Sequence, residues 1–409
     1  MRIAMLSLNY APEEIGIGPY SAGTAQALVE AGHRVRVIAG KPYYPQWRTY
    51  DGYRSVGYGC DREGAVEIVR CPHYVPPKPS GMKRIAHLAS FAAFATPPAL
   101  AAAAAFKPDI VFAVAPSLLA APVALALGRL TGAHTWLHVQ DFEIEAAFAT
   151  SLMDSGSLLG RAALKFQRRV ISGFDTCSTI SPPMAAKLAG LGVPADGIVE
   201  FRNWAEIDSI TVLDKPSAYR SQWHGLAPHI ALYSGNIANK QGVGIIVEAA
   251  RLLRHRKDIG FLVCGEGPQK AQLIEQAAEL PNIRFETLQP RERLGELLGL
   301  ASVHMLPQLA DAADLVLPSK LANMLASGRP VVATADTGTA LFAEVQSCGL
   351  VTPPGEAVPF AQAIERIVDQ PDEAAAFGVA ARRRAEERWS RRALLAGFVR
   401  EAEARAASR

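Results

Sequence analysis

The chain is 409 residues long, carries a formal net charge of +3 and is 49% hydrophobic. That length exceeds one ordinary core and predicts two domains, and the near-balanced charge, with no Lys/Arg block interleaved with aromatics, argues against a nucleic-acid binder. Five scattered cysteines without a CxxC pair argue against a zinc site or a disulfide framework and fit a reducing compartment.

The opening MRIAMLSLNYAPEE is expected to be a first strand over 3–8, not a signal peptide, because its apolar run is short and meets Asn9 and acids with no cleavage pattern. The loop NYAPEEIGIGPY follows, then a helix over 20–31 stopped by Gly32-His33 and a strand over 35–39. Gly16 and Gly18 let backbone approach a ligand, although their spacing does not match the dinucleotide fingerprint. Residues 85–106 are alanine-rich, contain His87 and the breaker pair Pro97-Pro98, and follow Lys83 and Arg84. Two short helices are expected there rather than a membrane span. Core packing is one reading of them; a membrane surface touched by Leu88, Phe91, Phe94 and Leu100 is the other.

Strands over 109–114 and 135–139 flank a helix over 118–130. The segment HVQDFEIE then places His138, Asp141, Glu143 and Glu145 just after a strand, where parallel sheets bind ligands. Imidazoles and carboxylates in such a place suit glycosyl chemistry. Each also has an ordinary role, as a hydrogen-bonded strand-end histidine, a helix cap or a helix-start acid. A metal site is disfavoured, since the spacing matches no strong template. Strands over 175–180 and 198–201 close the first series.

An irregular polar stretch follows, and the pattern restarts with a strand over 229–234 and a helix over 242–254. Further strands are expected over 259–264, 284–286, 303–306 and 331–333. SGNIANKQG supplies Gly235 for a tight turn and Lys240 as a point charge for phosphate. GEGP, with Glu266 and Gly267, is either a base or ribose contact or only a turn. PSKLANMLASGRPVVAT reads as a helix start, a helix, a Ser-Gly stop and a buried strand. Pro318 suits the first helical position, and Ser319, Lys320 and exposed N–H groups could hold a diphosphate, with Asn323 near a ribose. The fold class is therefore α/β, with βαβ units in both halves.

Taken together, the glycine loop, QDF, SGN–K–QG, GEGP and PSKLANMLASGRPVV motifs resemble those of retaining, nucleotide-sugar-dependent glycosyltransferases of family 4, over essentially the full length. Their wording is closest to the colanic-acid and exopolysaccharide branch. The resemblance implies the GT-B fold, two Rossmann-like doubly wound parallel-sheet domains facing a central cleft. The expected division is 1–205 for the acceptor-side domain, 206–228 for a linker, 229–385 for the nucleotide-sugar domain, and 386–409 for a helix crossing back over the first domain. It also implies a nucleotide diphosphate sugar as donor, a glycan or polyprenyl-diphosphate-linked acceptor, no metal and no cofactor, and a cytoplasmic place, peripheral on the inner membrane face.

By the same resemblance, Lys240 and the segment Ser319, Lys320, Leu321 would face the diphosphate and Asn323 the ribose. Gly16 and Gly18 would approach the donor phosphate, and Asp141 or His138 would sit beside the transferred sugar. The chain departs from the family pattern where two glutamates are usual, carrying Leu315 (beside Asp314) and Asn323, and where an arginine is usual, carrying Asn236. Lys320 is a candidate to supply the missing arginine's charge. The alternatives are a nucleotide-sugar 2-epimerase of the same fold and a non-catalytic two-domain sugar-binding protein.

Overall fold

The computed structural model describes residues 1–407 except 15, 55, 79–80, 145–156, 206, 238–240, 310–316 and 319. The chain forms two compact units, Met1–Asn203 with Leu395–Arg409, and Trp204–Leu394.

Among the described residues the first unit holds eight strands: β1 (Arg2–Ser7), β2 (Arg34–Gly40), β3 (Gly59–Glu63), β4 (Val66–Cys71), β5 (Ile110–Ala115), β6 (His134–Val139), β7 (Thr176–Thr179) and β8 (Ile198–Glu200). They form one sheet in the order β3-β4-β2-β1-β5-β6-β7-β8. Every residue of β5 and β6 is buried, as expected for parallel strands covered on both faces. β3 and β4 were not expected. β3 (GCDRE) is a charged strand, antiparallel to β4, and its charges protect an open sheet edge rather than face a core. The sheet is built outward in both directions from β1, which pairs with β2 on one side and β5 on the other.

The pair Pro97-Pro98 does not break the apolar helix. A single helix runs from Gly81 to Ala101 through both prolines and ends in a π-helical turn, Ala102–Phe106. Pro98 has no N–H for the Phe94 carbonyl one turn earlier. The Tyr58 hydroxyl donates to that carbonyl instead, at 3.0 Å. Ala93, the carbonyl that Pro97 leaves without a helical donor, is exposed to water. His87, Phe91, Ala95 and Ala99 form the buried stripe of this helix. Phe91 is thus a core residue, while Met82, Ile85, Phe94 and Leu100 are exposed.

The second unit, among its described residues, holds β9 (His229–Ser234), β10 (Ile259–Cys264), β11 (Ile283–Glu286), β12 (Val303–Leu306), β13 (Val331–Thr334) and β14 (Gly349–Thr352). Their order is β11-β10-β9-β12-β13-β14, and all pairs are parallel. The chain steps outward from β9 to β11 and then returns to the other side of β9 as β12. The carboxyl ends of β9 and β12 therefore flank a topological switch point, the favoured ligand position in such sheets.

The polar stretch before β9 is packed, not loose. Ile207, Ile210, Tyr219 and Trp223 are buried in the core of the second unit. Arg382, on the helix Pro371–Trp389, donates to the carbonyls of Ile210 at 2.6 Å and Ala326 at 2.8 Å. The last helix, Arg391–Ala407, carries Phe398 in the first unit. Its ring lies 4.5 Å from that of Phe201, 5.1 Å from Trp136 and 5.2 Å from Phe112.

Candidate active site

In the second unit the informative side chain is Lys320, first residue of the helix Lys320–Ala326. Its Nζ lies 3.9 Å from the centroid of the Tyr233 ring, near the end of β9. It is buried, and among the described residues it has no hydrogen-bond partner. Burial pushes its pKa down to about 7. The Tyr233 hydroxyl donates to the Asn236 carbonyl at 2.6 Å, which fixes the ring against the amine. Gly235 follows β9 with φ +147°, and a Cβ there would come 3.3 Å from Lys320 Cδ. Glycine at this turn therefore serves both the backbone angle and the room for the lysine stem. A cation over an aromatic face gains about 2 kcal/mol when desolvated, less than the several kcal/mol that removing an ammonium from water costs. Among the described residues the site is short of one negative charge.

Asn323 lies one helical turn beyond Lys320 and is partly buried. Leu321 does not belong with them. Its side chain is fully buried in the core, and its N–H is already given to the Pro318 carbonyl at 2.9 Å. The helix begins at Lys320, not at Pro318, so the expected set of free N–H groups shrinks. Asn236 is exposed just after Gly235. Lys240, Asp314, Leu315 and Ser319 lie outside the described residues.

GEGP is explained by packing. A Cβ on Gly265 would sit 1.9 Å from the Gly235 carbonyl oxygen, and one on Gly267 would sit 2.2 Å from that of Ile237. Ile237 N–H donates to the Glu266 carbonyl at 2.8 Å, and Gln269 N–H to the Ile237 carbonyl at 3.2 Å. These glycines let two loops lie backbone on backbone. The Glu266 carboxylate accepts from Lys270 Nζ at 2.8 Å, which turns it toward its own helix.

In the first unit the loop after β1 is organised by a residue that the sequence did not single out. Glu13 is 2% exposed. Its Oε1 accepts the N–H groups of Tyr43 and Tyr44 at 2.9 and 3.0 Å, and its Oε2 accepts Asn9 Nδ2 at 2.9 Å. Burial pushes this carboxyl up, opposed by those three donors. A Cβ on Gly18 would lie 2.9 Å from Glu13, and one on Gly16 (φ +74°) would lie 3.1 Å from the Tyr44 ring. Both glycines are required by the loop itself.

His138 is a core histidine. It is 3% exposed, its Nδ1 pairs with Ser178 Oγ at 2.9 Å, and its ring stacks on Phe112. Burial depresses its pKa to about 3, so it is neutral. β6 alternates its side chains between faces, and position 138 falls on the face covered by Phe398 and Phe201. Asp141 is exposed just past the end of β6. Glu143 is the better-placed acid. Its Oε2 accepts the Leu118 N–H at 2.8 Å, and the Ser117 N–H also donates to it, while burial pushes its carboxyl up. Ser117 holds φ +129°, a backbone angle that serine rarely adopts. Glu145 lies outside the described residues. Among the described residues no group of three or more His, Cys, Asp or Glu could hold a metal ion.

Tyr233 and Glu13 are not singled out by the sequence, whereas Glu143 is named there within the HVQDFEIE cluster. Tyr233 gives no signal there because its partner, Lys320, is remote along the chain. Glu13 sits just past the end of β1, as Glu143 does past β6, and that position is the signal that could have drawn attention to it.

The chain matches two family models, a glycosyl transferase 4-like domain over residues 16–204 and glycosyl transferases group 1 over residues 228–370. It is 41% identical over 349 residues to a putative colanic acid biosynthesis glycosyl transferase, WcaI, of Escherichia coli, covering 83% of this chain and 85% of that one. A sucrose-phosphate synthase from Thermosynechococcus elongatus has a similar structure (TM-score 0.72, 17% identity, all of both chains covered). So does Anabaena HepE in complex with UDP-glucose (TM-score 0.63, 13% identity, 99% of each chain). At those identities the structures speak for the fold, which is GT-B.

Proposed function

The chain belongs to the glycosyl transferases of the 4-like and group 1 families and is a glycosyltransferase, and from that premise we propose that it moves a sugar from a nucleotide diphosphate sugar to a glycan or polyprenyl-diphosphate-linked acceptor in bacterial exopolysaccharide synthesis. In this reading the second unit holds the donor and the first unit the acceptor. Transfer proceeds with retention at the anomeric carbon and without a metal ion or cofactor. The 2-epimerase and the non-catalytic sugar-binding protein find no support among the relatives.

The observation that carries the donor assignment is the Lys320 amine at the switch point, unmatched among the described residues. As the sugar–phosphate bond lengthens, negative charge grows on the leaving diphosphate. A fixed ammonium in a dry site stabilises that charge more than it stabilises the ground state. Asn323 offers one amide to the ribose, and Lys240 and Ser319 would complete the phosphate contacts. Gly16 and Gly18 would bring the β1 loop close to the donor, with Asp141 near the transferred sugar.

A thermal-shift panel of ADP, GDP and UDP tests the assignment, since a ligand that binds only the folded state raises its melting temperature. One of the three should stabilise the protein selectively, and Lys320→Ala should abolish that shift. An unchanged shift in the variant would remove Lys320 from the donor site.

The place of action is proposed to be the cytoplasmic face of the membrane. The segment Gly81–Phe106 is long and apolar enough to cross a bilayer, but its buried stripe packs on the first unit's core. Its exposed Met82, Ile85, Phe94 and Leu100, beside Lys83 and Arg84, suit shallow contact with an anionic surface. Co-sedimentation with anionic vesicles should weaken when Lys83 and Arg84 are both changed to Glu, and equal binding by the variant would count against surface contact.

A further inference from the structure

The segment between β2 and β3 is rich in aromatic residues; Tyr43 belongs to the first unit's core and Tyr44 and Trp47 pack against it, while Arg48 and Asp51 stay exposed. Trp47, Tyr50, Tyr53 and Val75 line a cavity of about 730 Å³, with Arg48 and Asp51 at its mouth. That volume is in the range of ligand clefts. We propose that this cavity is an acceptor subsite that seats one pyranose ring of the glycan, with Trp47 as the stacking face and Arg48 and Asp51 as partners for its hydroxyls. The proposal rests on the transferase reading above and adds the chemical identity of what the first unit grips.

Three observations carry it. The first is the chemistry of the lining. A pyranose presents an apolar C–H face and a rim of hydroxyls, which matches an aromatic wall beside a polar mouth. Arg48 and Asp51 lie 3.7 Å apart and are 74% and 93% exposed, so donors and acceptors stand side by side and open to a ligand. Asp51 offsets the charge of Arg48 at the mouth, and Glu13 and Glu14 lie near the Tyr50 hydroxyl, which disfavours a phosphate or other anion. An acyl chain would have no use for the charged mouth.

The second is preorganisation. The Tyr50 hydroxyl donates to the Tyr44 carbonyl at 2.6 Å, and Tyr50 N–H donates to the Pro42 carbonyl at 2.9 Å. Trp47 packs edgewise on Tyr43 and leans on His87, each at 5.4 Å between ring centroids. It is held at φ +51°, an angle that tryptophan seldom adopts and that the surrounding contacts must impose. Arg70 stacks on Tyr53 and donates to the carbonyl of Ala11 in the β1 loop.

The third is position. Glu13 welds Tyr43 and Tyr44 to the β1 loop, and the Tyr44 ring lies against Gly16. The cavity is therefore fixed beside the loop expected to approach the donor, at the end of the strand from which the first sheet is built outward.

Saturation-transfer NMR with the methyl α- and β-hexopyranosides of glucose, galactose, mannose and fucose as probes tests the subsite on the full-length protein. At least one should receive saturation on its ring C–H protons. Trp47→Ala should weaken that binding by about tenfold and Trp47→Phe should largely restore it. Because Arg48 is exposed, Arg48→Ala keeps the fold and should also weaken binding, by a few-fold. Should no hexoside bind, or should binding survive both Trp47→Ala and Arg48→Ala, the subsite is overturned. The nucleoside diphosphate panel separates the two ideas. Nucleotide binding without hexoside binding leaves the transferase reading standing and removes the subsite. Hexoside binding lost with Trp47, in a protein that binds no nucleoside diphosphate, keeps a sugar site and removes the donor reading.

Discussion

The two units treat buried charge in opposite ways. In the first, Glu13 and Glu143 each sit beyond a strand end and each accept two backbone N–H groups from a neighbouring loop. In the second, Lys320 is buried against a tyrosine face with no anion or carbonyl among the described residues to meet it. A buried ion with its partners supplied by the fold is architecture; one without them marks the place of a ligand. The contrast explains why three residues of similar sequence appearance, each polar and each at a sheet edge, should answer differently to substitution.

Lys320 should give the largest effect. Lys320→Met should weaken nucleotide donor binding by about a hundredfold or more, as expected when a desolvated ion pair loses one member. The same change should stabilise the free protein. The folded pKa of about 7 lies below the value of about 10.4 for an unfolded lysine, so the unfolded chain binds more protons between those limits. The penalty is complete below pH 7 and is relieved as pH rises toward 10. Chemical denaturation should find the variant more stable at pH 6, by up to about 4 kcal/mol, with the gap closing at high pH. A variant that is less stable at pH 6 would erase the contrast with Glu13.

Glu13→Ala should come next and in the opposite sense. It strands two buried amides and the Asn9 side chain, and should lower stability by about 3 kcal/mol, read as a drop in the urea midpoint. Nucleotide-induced thermal shifts should shrink but survive in it, because the β1 loop it holds is one of several proposed donor contacts. The smallest effect belongs to Tyr58→Phe. Losing one exposed bond to the Phe94 carbonyl should cost about 1 kcal/mol or less, and hydrogen exchange near residues 94–98 should quicken before global stability moves.

Most of the fold was legible because parallel strands buried on both faces read as unbroken apolar runs; β1, β5, β9 and β10 are examples. The misses have separate causes. β3 carries charges because it is an edge, so its pattern resembles a loop. The helix Gly81–Ala101 survives two prolines because Tyr58, distant in sequence, supplies a donor. In the candidate site the lysine was legible from its place at a helix start, but its aromatic support and the lack of a counter-ion among the described residues are tertiary facts. The opposite error arose with His138 and Gly267. Both sit in motif-like company, yet a core hydrogen bond explains the first and a close backbone approach explains the second.

Phe398 also has a consequence for how the protein is made. Phe112, Trp136 and Phe201 are covered by a ring that follows the whole second unit in sequence, far beyond the residues it protects. During synthesis the first 203 residues leave the ribosome with that aromatic surface bare, and it stays bare while the whole second unit is translated. The growing chain thus carries a sticky, unfinished sheet for most of its birth. The first unit is completed only after the second has been translated, and a stop codon shortly before Phe398 would damage the unit that was made first.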